Sequence, residues 1–408
     1  MEYEILELKN GLRIIHSHKK DAEISHCGLL INAGTRDETP EDAGIAHFIE
    51  HVLFKGTKKR KAFHILNRLE SVGGELNAYT SKEETCVYAS FLNMHYERSI
   101  EILADISFNS IFPAKEIEKE KDVIIDEIKS YQDNPIEQIH DEFEEIIFSG
   151  HSLSIPILGT PQSVKKLNRS KILRFTKEYY APDNMVFSSV GNISSDQLVQ
   201  LLERYFGSIK PSAHVRERKA FKGYKKRDIV YKKENYQAHC VIGNAAYGYK
   251  HKNKMGFILL NNLFGGPGMN SRLNLAIREK YGYTYNIESN YTPYIDTGVF
   301  TIYLGTDPLH LDKSIGLVYK ELDKLKNKLL GTQQLKQAKQ QMIGQIAMAQ
   351  ESRSGQMISL GKSLMNFGKV DALKDIYKQI EKISGSQLLD IANEVFDEKR
   401  LSTLIYKS

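Results

Sequence analysis

The chain reads as an α+β protein, layered α/β in each of two related halves, with a mainly antiparallel sheet and packed helices in each half. Three observations lead there. Strand-like alternation takes turns with helical periodicity along the chain. A basic, aperiodic stretch interrupts that pattern near the middle. After it the opening pattern recurs, because "HSHKKDAEISHCGLLINAG" near the start resembles "DIVYKKENYQAHCVIGNAAYG" in the second half. In both, a Lys-Lys-acidic turn leads to an apolar strand with a His-Cys pair, His26-Cys27 and His239-Cys240. With a few residues skipped, "HFIEHVLFKGT" then matches "FILLNNLFGGP", and the preserved order argues for duplication.

The elements follow in order. "GLRIIHSHKK" and "ISHCGLLINAG" predict two strands around Lys19-Lys20-Asp21. A helix is predicted from Thr39-Pro40: Thr39 can cap it, Pro40 suits its first turn, and Glu41 and Asp42 complement its positive end. "GGELNAYTSKEETCVYASFL" alternates like strands behind the Gly73-Gly74 turn. Helical patterns run from Tyr96 to about Tyr131, until Asp133-Asn134-Pro135 stops them. "NMVFSSVGNI" is a strand, and a helix follows from near Ser195 to near Phe206. The basic stretch "KPSAHVRERKAFKGYKKRDIVYKK" is read as a solvated linker in preference to a polyanion-binding patch. The expected organisation is residues 1–209, a linker at 210–233, and residues 234–408.

Composition narrows the function classes. A length of 408 residues points to two or three units of ordinary size. A net charge of +5, spread over 56 basic and 51 acidic residues, gives no argument for a nucleic-acid or membrane partner. The three cysteines include no CxxC pair, so neither a thiolate zinc site nor a disulfide framework is expected, and a reducing compartment fits. "MEYEILELKNGLRIIH" lacks the basic and apolar regions of a signal peptide, and no apolar run nears the roughly 20 residues of a membrane helix. A cytoplasmic protein is expected.

The chemistry concentrates in "EDAGIAHFIEHVLFKGT". Ile45, Phe48, Ile49, Val52 and Leu53 recur at helical spacing as one buried face, while His47, Glu50 and His51 share an adjoining face. Histidines at i and i+4 lie one turn apart and can reach a single cation. Zinc suits such ligands, usually with three protein donors at a catalytic site, and lowers the pKa of its water to about 7. Glu50 is placed to take that proton and pass it to a leaving amine. The bland alternative is a wet helix face, but HxxEH is one of the recorded zincin signatures. A third ligand would come from "PAKEIEKEKDVIIDEIKSY", a helix predicted from Pro113 with a buried stripe of Ile117, Lys121, Ile124, Ile128 and Tyr131. Glu120 and Glu127 flank that stripe. Spacing alone leaves open whether they serve a metal site or a solvated face.

At these residues the chain resembles the inverted-zincin metallopeptidases of the pitrilysin, insulinase and mitochondrial-processing-peptidase group, smaller bacterial members above all. The resemblance implies that His47, His51 and Glu127 bind one Zn2+ per chain, that Glu50 is the general base, and that Glu120 supports a ligand histidine from behind. "GGELNAYTSKEETCVYA" resembles the family's active-site edge strand, which implies substrate binding by the backbone of Asn77 and Ala78. "GGPGMNSRLNLAIREKYGYTYNI" resembles its glycine-rich loop and arginine–tyrosine pair, so Arg278 and Tyr285 are implied to bind substrate backbone and stabilise the oxyanion. The bare residues there predict an amphipathic helix over Ser271 to Lys280, a stop at Gly282, and a strand through Tyr283, Tyr285 and Ile287.

The resemblance therefore implies a zinc endopeptidase in which each chain forms half of a clamshell, acting on oligopeptides or unfolded segments in an enclosed chamber. A homodimer is the implied assembly, with peptides as partners and neither nucleic acid nor membrane. Two rival readings are one subunit of a heteromeric processing peptidase and a non-catalytic scaffold relative. In the second half, Phe257, Leu260 and Asn261 stand where His47, Glu50 and His51 stand in the first, so that half is read as having lost the site.

Overall fold

The computed structural model describes residues 3–212 and 217–407, so residues 213–216 of the basic stretch lie outside the described residues. The alternating segments form two sheets. In the first, β1 (Glu4–Glu7), β2 (Arg13–His18), β3 (Ile24–Ile31), β4 (Glu75–Thr80), β5 (Thr85–Leu92) and β6 (Met185–Gly191) lie in the order β1-β2-β6-β3-β5-β4. In the second, β7 (Asp228–Lys232), β8 (Ala238–Ala246), β9 (Thr284–Pro293), β10 (Gly298–Thr306) and β11 (Ser402–Lys407) lie in the order β7-β11-β8-β10-β9.

Apart from β1, the two sheets share one topology. β2 runs parallel to β6 as β7 does to β11, and the other neighbours are antiparallel in both. The two His-Cys pairs fall on equivalent middle strands, β3 and β8. The duplication that the sequence suggests is thus present in the order and sense of the strands. The last strands in each order, β4 and β9, are equivalent edges.

Two compact units enclose these sheets. One comprises Met1–Lys129, Ile155–Arg218 and Met348–Asp371; the other comprises Ser130–Ser154, Lys219–Ala347 and Ala372–Ser408. A division at residues 210–233 describes the order of the chain. The packed units differ from it by one exchanged segment in each direction. The reason is that both faces of each sheet are apolar. All seven residues of β6 are buried, which requires cover above and below. In the first unit one face carries the main core, with the Ile45–Leu53 helix in it, and the Arg353–Phe367 helix lies on the other. Its Met357, Leu360 and Leu364 pack on Ile15, Val186 and Val190. In the second unit the Pro135–Ile147 helix does the same, setting Ile139, Phe143 and Ile147 among Val241, Tyr303 and Leu404. No helix among the described residues is long and apolar enough to cross a membrane.

The Arg353–Phe367 helix sits close on its sheet. Ser188 Oγ donates to the Met357 carbonyl at 2.6 Å inside the contact. A Cβ on Gly361 would lie 2.4 Å from Leu30 Cδ1 and 3.1 Å from Ser188 Cβ, and Leu30 is fully buried. Gly361→Val should therefore destabilise the protein by about 1–3 kcal/mol through overpacking. Chemical denaturation checks this, and an unchanged midpoint would show that the helix can lift off its sheet at no cost.

Candidate metal centre

The helix that carries the paired histidines spans Ile45–Leu53. It starts later than Thr39-Pro40 predicts. Pro40–Asp42 forms a separate 3-10 turn, and Gly44 then takes a left-handed φ of 88° before the α-helix begins. Gly44 is pressed against Leu158 and Gly159, where a Cβ would meet the Leu158 carbonyl oxygen at 2.7 Å. The cap comes from Glu38, whose carboxylate accepts from the N–H of Gly44 at 2.7 Å and of Ala46 at 2.8 Å. A carboxylate is well matched to the unpaired N–H groups at that end of a helix.

Ile45, Phe48, Ile49, Val52 and Leu53 are all buried in the core. Each such burial is worth about 1.5–3 kcal/mol before conformational entropy is counted, so this face sets the rotation of the helix. The adjoining face then has no choice of direction. His47 and His51 stand one turn apart, with ring centroids 4.6 Å from each other.

Glu127 meets them from the Ala114–Gln132 helix. Its Oε1 lies 4.0 Å from His47 Nε2 and its Oε2 lies 3.6 Å from His51 Nε2. Donor atoms of His47, His51 and Glu127 all fall within 4.8 Å of one another, which makes them a group that could hold a metal ion. Two imidazole nitrogens and one carboxylate oxygen are a zinc-type donor set that leaves a position open. Behind it, Glu120 Oε2 is 3.2 Å from His51 Nδ1, and Glu120 Oε1 is 2.7 Å from Lys55 Nζ. That bond occupies Nδ1 and leaves Nε2 to face the ligand position, as metal sites generally arrange. His47 Nδ1 is buried with no such partner among the described residues. On this helix the stripe differs from the expected one: Glu120 is buried with Ile117, Ile124, Ile125 and Ile128, while Tyr131 is exposed and Lys121 only half-buried. Glu120 can be buried because His51 and Lys55 pair with it.

The electrostatics suit a cation. Burial, with His51 beside it, pushes the His47 imidazole down to about 3, so it is neutral and able to ligate at physiological pH. At His51 burial acts in the same direction, but the Glu120 hydrogen bond and the charges of Glu127 and Glu50 outweigh it and raise the imidazole. Burial lifts the Glu50 carboxyl above the usual range, against the opposing pull of a hydrogen bond from Thr80. Three carboxyl groups, Glu50, Glu120 and Glu127, surround the two imidazoles with one Lys55 ammonium among them, a setting that would favour a bound cation.

Asn77 and Ala78 lie on β4, the edge of the first sheet, paired inward with Tyr88 and Val87. Arg278 and Tyr285 belong to the second compact unit. Arg278 sits in Asn274–Glu279, which is wound as a π-helix inside the predicted amphipathic helix, and Gly282 ends that helix at a φ of 65°. Tyr285 is the extra residue of a bulge on β9: Thr284 pairs with Thr306 and Asn286 with Gly305, leaving Tyr285 85% exposed. π-turns and bulges are both recurrent devices at functional sites. The second half's counterparts of the trio are structural. Phe257 and Leu260 are buried in core, and Asn261 is bonded to Ser289. Sequence reasoning missed Glu38, Lys55 and Thr80; only Lys55 carried a signal, one helical turn beyond His51.

Comparison with known proteins agrees with this division. The family model "Insulinase (Peptidase family M16)" matches residues 13–161, which contain all the metal-ligating candidates. The model "Peptidase M16 inactive domain" matches residues 166–342, the stretch in which the trio is replaced. Over 98% of this chain and 97% of its own length, the "Uncharacterized zinc protease YmxG" of Bacillus subtilis is 35% identical. An "Uncharacterized zinc protease" of Rickettsia bellii is 32% identical over 99% of this chain and 97% of its own. Among solved structures, a protease from Helicobacter pylori superposes with a TM-score of 0.91 at 24% identity, covering 100% of this chain and 99% of that one. A peptidase M16 inactive domain from Pseudomonas fluorescens gives 0.93 at 18% identity, covering 100% and 98%. These last two likenesses speak for the fold. The chain belongs to the insulinase family of peptidases, family M16.

Proposed function

We propose that this protein is a zinc-dependent endopeptidase acting on oligopeptides or unfolded segments. The convergence of His47, His51 and Glu127, with Glu50 one residue from a ligand and Glu120 bonded behind it, carries the reading. Zinc held by those three side chains would supply Lewis-acid activation for amide hydrolysis. Glu50 takes the proton of the attacking water and returns it to the leaving amine. Burial raises its carboxyl, the direction that makes it a better proton acceptor. β4 offers a free edge to an extended peptide, which favours unfolded chain over folded domains and asks little of its side chains. Arg278 and Tyr285 are proposed as donors to substrate backbone and to the oxyanion; the exposed phenol of Tyr285 supports that role.

Glu50→Gln should keep zinc near one equivalent per chain while hydrolysis of a quenched peptide falls by at least about 10². Retained turnover would remove Glu50 from the role of base. His51→Ala should lose the metal, and a chelator should abolish activity that added zinc restores. Glu120→Ala should weaken zinc about 10–100-fold by freeing the His51 ring, measured by competition with a chromogenic chelator. Tyr285→Phe should lower kcat by about 10²–10³ if its hydroxyl is an oxyanion donor, and an unchanged kcat would assign Tyr285 elsewhere.

A further inference from the structure

The turn between β4 and β5 is built unlike an ordinary hairpin turn. Its sequence is "SKEE", Ser81 to Glu84, and Lys82, Glu83 and Glu84 are all buried, at 6%, 8% and 4% exposure. Turns normally lie in solvent, and charged residues are rarely buried unless paired. Here each is paired. Lys82 Nζ donates to the Ile155 carbonyl at 2.7 Å, Arg36 Nη1 to Glu83 Oε1 at 2.5 Å, and Tyr79 to Glu84 Oε1 at 3.0 Å. Lys362, from the Arg353–Phe367 helix, pairs with Glu84 as well. The turn's backbone is held too. Thr35 N–H donates to the Ser81 carbonyl at 3.2 Å and Arg36 N–H to the Lys82 carbonyl at 2.7 Å. Gly34 lies against it so closely that a Cβ would sit 2.3 Å from the Ser81 carbonyl oxygen.

What this anchoring holds in place is the residue just before it. Thr80 Oγ1 donates to Glu50 Oε2 at 2.6 Å. Threonine is stiff at χ1, and its backbone here is the end of β4, so the hydroxyl has a defined position. A hydroxyl also has one donor and two lone pairs. By turning about its C–O bond it can donate to the Glu50 carboxylate and accept from the Glu50 carboxylic acid. A base that takes a proton and returns it needs a partner that serves both states.

We propose that Thr80 is a positioning residue for the Glu50 carboxylate and that the buried Ser81–Glu84 turn is the support that holds it there. The proposal rests on the endopeptidase reading. It extends the working site from the helix to β4, so the strand that offers its edge to substrate also aims the base.

The test uses full-length, zinc-loaded protein with Thr80→Val, Thr80→Ser and Glu50→Gln, and Thr80→Val combined with Glu50→Gln. Thr80→Val should keep about one zinc and the wild-type unfolding temperature, and lower kcat about 10–100-fold with KM within about threefold, the usual cost of a misplaced group. Thr80→Ser, which keeps the hydroxyl, should stay within about threefold of wild type in kcat. In the Glu50→Gln background Thr80→Val should cost nothing more, since the two act as a unit. A crystal structure of metal-free Thr80→Val should show the Glu50 carboxylate displaced, and that of Thr80→Ser should show it in place. Wild-type kcat in Thr80→Val, loss of zinc from it, or an equal loss in Thr80→Ser would overturn the proposal. If Thr80→Val does not fold, Thr80→Ala replaces it under the same criteria. Zinc-loaded wild type that hydrolyses no peptide overturns the endopeptidase reading itself, an outcome distinct from all of these.

Discussion

The site depends on a burial constraint. The Ile45–Leu53 helix is short, and nearly all its large apolar side chains lie on the face that enters the core. No rotation other than the observed one buries that face, so the direction of His47, Glu50 and His51 follows from hydrophobic packing rather than from any property of a metal. The left-handed turn at Gly44 and the Glu38 carboxylate then set where the helix begins. Packing alone aims these side chains, which would lower the ordering cost of binding a cation.

The same ordering argument applies to the charges. Burying Glu120 without partners would cost several kcal/mol, yet it is buried between His51 and Lys55. Its negative charge is used twice, once to fix an imidazole and once to hold a lysine. Glu127 is only half-buried and has no comparable pairing behind it among the described residues, so its carboxylate stays available to the candidate ligand position. Two glutamates of one helix, seven residues apart, thus differ in burial and partners.

That difference marks the limit of what the sequence could show. Helical spacing was enough to put His47, Glu50 and His51 on one face, and strand alternation with the Gly73-Gly74 turn was enough to place the β4–β5 hairpin. The segment from Ser195 to Phe206 was legible from both ends, as Ser194 caps it and its apolar face is regular. Periodicity cannot say which charged residue finds a buried partner, so it predicts Lys121 and Tyr131 in a stripe where Glu120 in fact lies. Nor could it reveal the exchanged helices. Their placement follows from both faces of β6 and β8 needing cover, a property of the assembled sheet and not of either helix. The buried "SKEE" turn was unreadable for the same reason: four polar residues in a hairpin look solvated until Arg36, Ile155 and Lys362 are brought to them.

Duplication puts the two halves on equal terms in topology and leaves them unequal in chemistry. β4 and β9 are equivalent edges, yet β4 ends in a pinned turn beside Glu50 while β9 carries a bulge that exposes Tyr285. The helix equivalent to Ile45–Leu53 has Phe257 and Leu260 in the core at the trio's positions. A buried His47 with a half-buried Glu50 and His51 is costly to keep unless a ligand repays it, whereas Phe and Leu at those places add to the core. The first half keeps the full polar set, with Glu120, Lys55 and Thr80 bonded around it, where the second half fills the same places with core.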